Sequence, residues 1–185
     1  EVVNFAAGTM AMFSTYVAFH TVTFYGCPFW LAFLIALGFA AMLGVFVEFF
    51  FLKPAKNPTL LGLIVITIGV QLLLAGIAGW KWTADQQSFS IPFSYQITYE
   101  PFPGFVVSQW ALAVFIIAFI IVTALALFFK FTKLGTAMRA TQQNKHGAKI
   151  MGIKTDRVFA FAWACSSVIG VTAAMLISAR TILDP

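Results

Sequence analysis

The chain has 185 residues, 61% of them hydrophobic and only 9% charged, whereas soluble domains carry about 25% charge. A soluble fold of this size has too little interior to hide so much apolar surface, so lipid is the solvent for most of this chain. The formal net charge of +5 comes mainly from one segment, which argues against a nucleic-acid footprint and for a membrane-orientation signal.

Residue 1 is Glu, no signal peptide is visible, and the last residue is Pro185 without a polar tail. The chain is therefore expected to be part of a longer protein. Residues 5–24 form the first expected span, with Gly8, Ser14 and Thr15 suited to close helix contact. Its early turns are small and mildly polar, which suits a helix facing protein. Cys27-Pro28 breaks the chain, and 29–51 form the second span, notched by Gly38 and Gly44 and ending near Glu48. About 20 residues suffice to cross a hydrocarbon core of roughly 30 Å. A short basic turn at 52–58 holds Lys53, Pro54, Lys56 and Pro58, and 59–79 form the third span with Gln71 near its centre.

Residues 80–106 are expected to be an external loop, rich in aromatics such as Phe89, Phe93, Tyr95 and Tyr99. Part of it alternates as a short strand or hairpin would. The fourth span, 107–129, is the most uniformly apolar. After the basic segment 130–157 comes the fifth, 158–179, whose middle holds Ser166, Ser167, Gly170 and Thr172.

The basic segment carries Lys130, Lys133, Arg139, Lys145, Lys149, Lys154 and Arg157 against Asp156 alone. A basic island between two apolar runs faces the cytoplasm, and Lys53 and Lys56 share its side. The external loop holds Lys81, Asp85 and Glu100. Between Gly135 and Gly152 the apolar residues recur at roughly helical spacing, which predicts one short amphipathic helix along the membrane face, open to a soluble partner.

No constellation for bond-breaking chemistry stands out. His20 and His146 lack neighbouring ligands, Cys27 and Cys165 lack metal spacing, and no nucleophilic triad, paired catalytic carboxylates or phosphate-cradling glycine loop is present. Polar residues inside spans need a partner or a wet cavity. Gln71 is the most informative of these, and either lines a pathway or hydrogen-bonds a neighbouring helix; Asn4, Ser14, Thr67 and Ser166 are further pathway candidates, with Thr15, Thr123, Ser167 and Thr172 behind them, although every one of these serines and threonines can instead satisfy itself on its own helix backbone. Glu48 is expected to pair locally with Lys53 or to meet lipid headgroups.

The segment TKLGTAMRATQQNKHGAKIMGI resembles the cytoplasmic segment of permeases from the bacterial branched-chain amino acid ABC importers, through Thr132, Leu134-Gly135, Met138-Arg139-Ala140, Asn144, Ala148 and Met151-Gly152-Ile153. Two further stretches agree: Asn4-Phe5-Ala6 with Gly8, although the family often has histidine where this chain has Ala7, and Glu48 with Pro54 and Thr67-Ile68-Gly69. Similar permeases serve urea and short-chain amides. The resemblance implies an all-α polytopic transmembrane helical bundle, a partial permease domain over 1–185 with about five spans and a short cytoplasmic coupling helix. It implies a transport subunit of the bacterial inner membrane, not an enzyme. ATP and Mg would belong to partner ATPases and no cofactor to this chain. The implied partners are a second permease subunit, two cytoplasmic ATPase subunits, a periplasmic or lipid-anchored solute-binding protein and membrane lipid. Leu134, Gly135, Met138, Arg139, Asn144, Lys145, Met151 and Gly152 would carry ATPase coupling. A channel or secondary carrier for a small solute such as urea is the alternative reading.

Overall fold

The computed structural model describes residues 4–55, 59–82, 98–102 and 105–178. Most of the expected external loop, including Phe89, Phe93 and Tyr95, lies outside the described residues, as do Lys56, Pro58 and the expected end of the last span at Ala179. Among the described residues seven α-helices run in the order α1 (Ala7–Tyr25), α2 (Phe29–Val47), α3 (Leu60–Trp82), α4 (Gln109–Phe131), α5 (Lys133–Gln143), α6 (Lys145–Ile150) and α7 (Thr155–Ser178). A π-helical turn, Glu48–Leu52, extends α2. Two short strands, β1 (Thr98–Phe102) and β2 (Phe105–Ser108), precede α4.

Among the described residues four helical stretches are long and apolar enough to cross a membrane: Phe29–Leu52, Leu60–Trp82, Gln109–Phe131 and Thr155–Ser178. At 1.5 Å per residue each reaches about 35 Å, enough for the hydrocarbon core. The 19-residue α1 covers the first expected span but is not among these four, because small and hydroxyl residues dilute it. The chain is thus a polytopic helical bundle with four such helices, and the small strand pair is its one departure from all-α among the described residues.

The chain divides into two compact units, one of Glu1–Phe89 with Ala137–Pro185 and one of Ser90–Thr136. In the larger unit, α1, α2 and α7 pack against one another and α3 lies against α1. Lipid supplies little hydrophobic drive between helices, so close approach must come from small side chains. On α2 these are Ala32, Ala36, Ala40 and Gly44, four residues apart and all buried. A Cβ at Gly44 would sit 2.6 Å from the Trp163 carbonyl oxygen and 2.7 Å from Ser167 Oγ on α7. Gly38, expected to notch the same helix, has open space around it: it lies off the buried stripe, which recurs every fourth residue. On the other contact, a Cβ at Gly170 would meet Ala11 of α1 at 3.3 Å. Aromatic stacking adds shape to this core. Trp82 at the end of α3 meets Phe13 edge-on at 5.3 Å and stacks on Tyr16 at 5.1 Å.

Outward faces are apolar, as lipid requires. Met42 of α2, Leu61, Val65 and Leu72 of α3 are each about two-thirds exposed or more. In the smaller unit, β1 and β2 pair antiparallel with Thr98 opposite Ser108 and Tyr99 opposite Val107, and an irregularity follows before Phe102 meets Phe105. Ser108 then starts α4, its Oγ accepting from the Ala111 N–H at 3.2 Å, which satisfies one orphan donor of the first turn. No residue of α4 is buried.

Candidate functional site on the basic face

The basic segment is two helices, α5 and α6, not the single helix its periodicity predicts. Asn144 makes the break. Its backbone is extended, and its side-chain oxygen accepts from the Gly147 N–H at 2.8 Å, so it caps α6. An Asn side chain competes with the helical backbone in this way, which favours a new start over continuation.

The entry is tight. Thr132 leaves the helical conformation after α4, its Oγ1 donating to the Phe128 carbonyl at 2.7 Å and accepting from the Gly135 N–H at 2.9 Å. Gly135 is buried, and a Cβ there would lie 2.6 Å from the Phe128 oxygen and 2.7 Å from the Phe129 Cα. Its lack of a side chain lets α5 fold back against the end of α4. The exit uses the other property of glycine. Gly152 has φ +83°, and the Ile153 N–H reaches the Ala148 carbonyl at 3.0 Å while the Gly152 N–H reaches Lys149 at 3.1 Å. This is the Schellman ending, which a left-handed residue closes at least cost.

Between entry and exit the inner side holds Thr141 and Ala148, 4% and 6% exposed. Leu134, Ile150 and Met151 are exposed apolar residues. Met138 is half-buried and Arg139 exposed. Lys145 places its Nζ over the Phe159 ring of α7, 4.8 Å from the centroid, which ties α6 to that helix.

The α2 end joins this face. Lys53 pairs with Asp156 at the start of α7, 3.3 Å apart, and also lies over Phe49 at 4.6 Å. The expected local pairing of Glu48 with Lys53 is thus replaced. Within the π-helical turn Glu48 is turned inward and buried, whereas Lys53 beyond it is exposed. Glu48 remains in electrostatic reach of Lys145, Lys53 and Asp156. Sequence reasoning missed the meeting of Lys53 with Asp156, because about a hundred residues separate them and neither belongs to a local motif.

The pathway candidates are scattered. Ser14 and Thr67 are fully buried, and their hydroxyls donate to their own helices, to Met10 at 2.8 Å and to Ile64 at 2.9 Å. Gln71 is half-buried and Ser166 exposed. Its neighbour Ser167 is the buried one, donating to Trp163 at 2.9 Å. Asn4 keeps its side-chain oxygen buried with no hydrogen-bond partner among the described residues. No group of His, Cys, Asp and Glu among the described residues is arranged to hold a metal ion.

A family model described as the permease component of the branched-chain amino acid transport system matches residues 1–185. Over 95% of this chain, the high-affinity branched-chain amino acid transport system permease protein LivH of Escherichia coli is 25% identical, with 60% of its own length covered. The probable branched-chain amino acid transport permease protein LivH of Methanocaldococcus jannaschii is 26% identical over 95% of this chain and 57% of its own. BraD of Pseudomonas aeruginosa, a high-affinity permease protein of the same kind of system, is 21% identical over 95% and 60%. No solved structure matches. The chain spans about 60% of the length of these curated relatives. With its apolar spanning helices and a match along its whole length, this chain is a multi-pass inner-membrane protein and belongs to the permease family of the branched-chain amino acid transport systems.

Proposed function

We propose that the chain is the membrane-spanning part of a permease subunit in an ATP-driven importer for branched-chain amino acids or a similar small polar solute. The observation that carries this reading is the family match over residues 1–185. ATP and Mg would be used by two cytoplasmic ATPase subunits. A solute-binding protein would deliver the solute outside, and a second permease subunit would complete the pathway. In this reading α1 is a fifth span, sheltered among α2, α3 and α7, which accounts for its small and hydroxyl residues. Residues 130–157 face the cytoplasm by the positive-inside rule.

The α5–α6 pair serves as the coupling element. Exposed Leu134, Ile150 and Met151 outside the apolar spans suit a soluble partner's surface, since large uncovered apolar residues mark interaction sites. Arg139 and the capping Asn144 are exposed as well. Movement of α6 passes to α7 through Lys145 on Phe159, and movement of α5 passes to α4 through the contact at Gly135. Rigid helices with close contacts transmit such displacements better than loose loops. Gln71 and Ser166 stay candidates for the pathway, to be completed by the second subunit. Ser14 and Thr67 serve helix contact.

The test is the full-length complex reconstituted in lipid. Binding protein loaded with leucine, isoleucine or valine should stimulate ATP hydrolysis and accumulate the amino acid inside vesicles. Solute flux that proceeds without any ATPase subunit would overturn the reading.

A further inference from the structure

Two grooves of the larger unit meet at one ring. The first, about 570 Å³, lies where the end of α2 faces the link between α6 and α7, and Lys53, Lys149, Lys154 and Arg157 line it together with Phe49 and Asp156. Asp156 already holds Lys53 at 3.3 Å. Among the described residues Lys149, Lys154 and Arg157 have no ion-pair partner, and all three are exposed. The second groove, about 530 Å³, runs along the outer side of α2 past Met42, Val45, Phe46 and Phe50, and Phe49 lines it too. A polar cup rich in cations thus shares Phe49 with an apolar trough on a membrane-spanning helix.

We propose that these two grooves together bind one anionic phospholipid. Its phosphate sits among Lys149, Lys154 and Arg157, and an acyl chain lies in the trough on α2. Each half argues for the other. Cations on the cytoplasmic side, set between spanning helices, recognise anionic headgroups. An acidic protein surface would also satisfy the cup, but it would have no use for a trough in the hydrocarbon layer. Met42 is 73% and Phe50 66% exposed, so an acyl chain meets them without rearrangement. The ring of Phe49, with Lys53 above it at 4.6 Å, marks the boundary between headgroup and chain. The ion pair of Lys53 with Asp156 offsets the carboxylate that lines the cup. The bound lipid would then brace the end of α2 against the start of α7.

The proposal rests on the inward placement of residues 130–157 and not on transport. It is tested on the full-length complex in phosphatidylcholine vesicles carrying a trace of phosphatidylglycerol with a photoreactive group on its acyl chain. Illumination should label the peptide covering 41–50, and the same probe built on phosphatidylcholine should label it far less. K149Q with K154Q should lower the phosphatidylglycerol labelling about fivefold for each cation removed, equivalent to about 1 kcal/mol. Met42→Trp, which fills the trough from an exposed position, should abolish labelling while leaving the cations in place. Equal labelling by both lipids, unchanged in the lysine variants, would overturn the proposal and leave ordinary lipid contact. Displacement by soluble glycerol phosphate would assign the cup to a free phosphate compound. Labelling lost whenever ATPase subunits are bound would assign the cup to that partner. Either result also overturns it.

Discussion

Gly135 shows how one absent side chain sets the path of a whole segment. A Cβ there would meet backbone atoms of Phe128 and Phe129 at 2.6 and 2.7 Å, and backbone cannot swing aside as a side-chain tip can. Gly135→Ala should therefore cost about 1–3 kcal/mol of local stability, as overpacking does, and should displace α5. The measurement is ATPase activity of the reconstituted complex with and without loaded binding protein: basal hydrolysis is expected to persist while stimulation falls several-fold. Unchanged stimulation would remove Gly135 from the proposed coupling surface. Lys53 and Asp156 show the opposite case, a contact that is present but weak. Their side chains are 45% and 57% exposed, so solvent screens them and the pair is worth at most about 1 kcal/mol. A double-mutant cycle with Lys53→Ala and Asp156→Ala in detergent should give a coupling energy below about 1 kcal/mol that shrinks with added salt. A larger, salt-independent value would mean the pair is enclosed.

Helix ends carry most of the local information in this chain. Asn144 caps α6 through Gly147 at 2.8 Å, and the cap is what divides the basic segment in two. Asn144→Ala should destabilise that start by about 1 kcal/mol and speed amide exchange across 145–150, whereas Asn144→Asp should preserve protection because a carboxylate also accepts from the helix N-terminus. Equal exchange in both variants would show that α6 is held by Lys145 on Phe159 and by Ala148 alone. The apolar periodicity between Gly135 and Gly152 was readable, but it could not reveal whether Asn144 continues one helix or turns back onto the Gly147 N–H to begin a second. The same limit applies to α2. Ala32, Ala36, Ala40 and Gly44 form a fourfold-spaced stripe visible in the chain, yet Gly38 is equally small. Only contact with α7 distinguishes Gly44 from it.

Across the whole molecule, the proposed sidedness of the bundle rests on charge. The segment 130–157 holds seven of the chain's eleven Lys and Arg residues, and moving them across the membrane would oppose the positive-inside bias. A single cysteine at position 145 should react with a membrane-impermeant maleimide only in inside-out vesicles. Labelling from outside intact cells would overturn the proposed orientation and with it the coupling role proposed for α5 and α6.

Apolar runs of about 20 residues, broken by Pro28 and by the basic segments, determined that the chain is a polytopic helical bundle and the approximate places of its four long apolar helices, because lipid forces each backbone group to pair within its own segment. The same runs are silent on which face of each helix meets another, since apolar side chains suit lipid and protein alike. Packing decided that: it enclosed α1 despite its weaker apolarity, chose Ser167 over Ser166 for the α2–α7 contact, and brought Lys53 to Asp156 across a long stretch of chain. These are matters of which surfaces coincide in space, and surfaces distant in sequence coincide only once the helices have assembled.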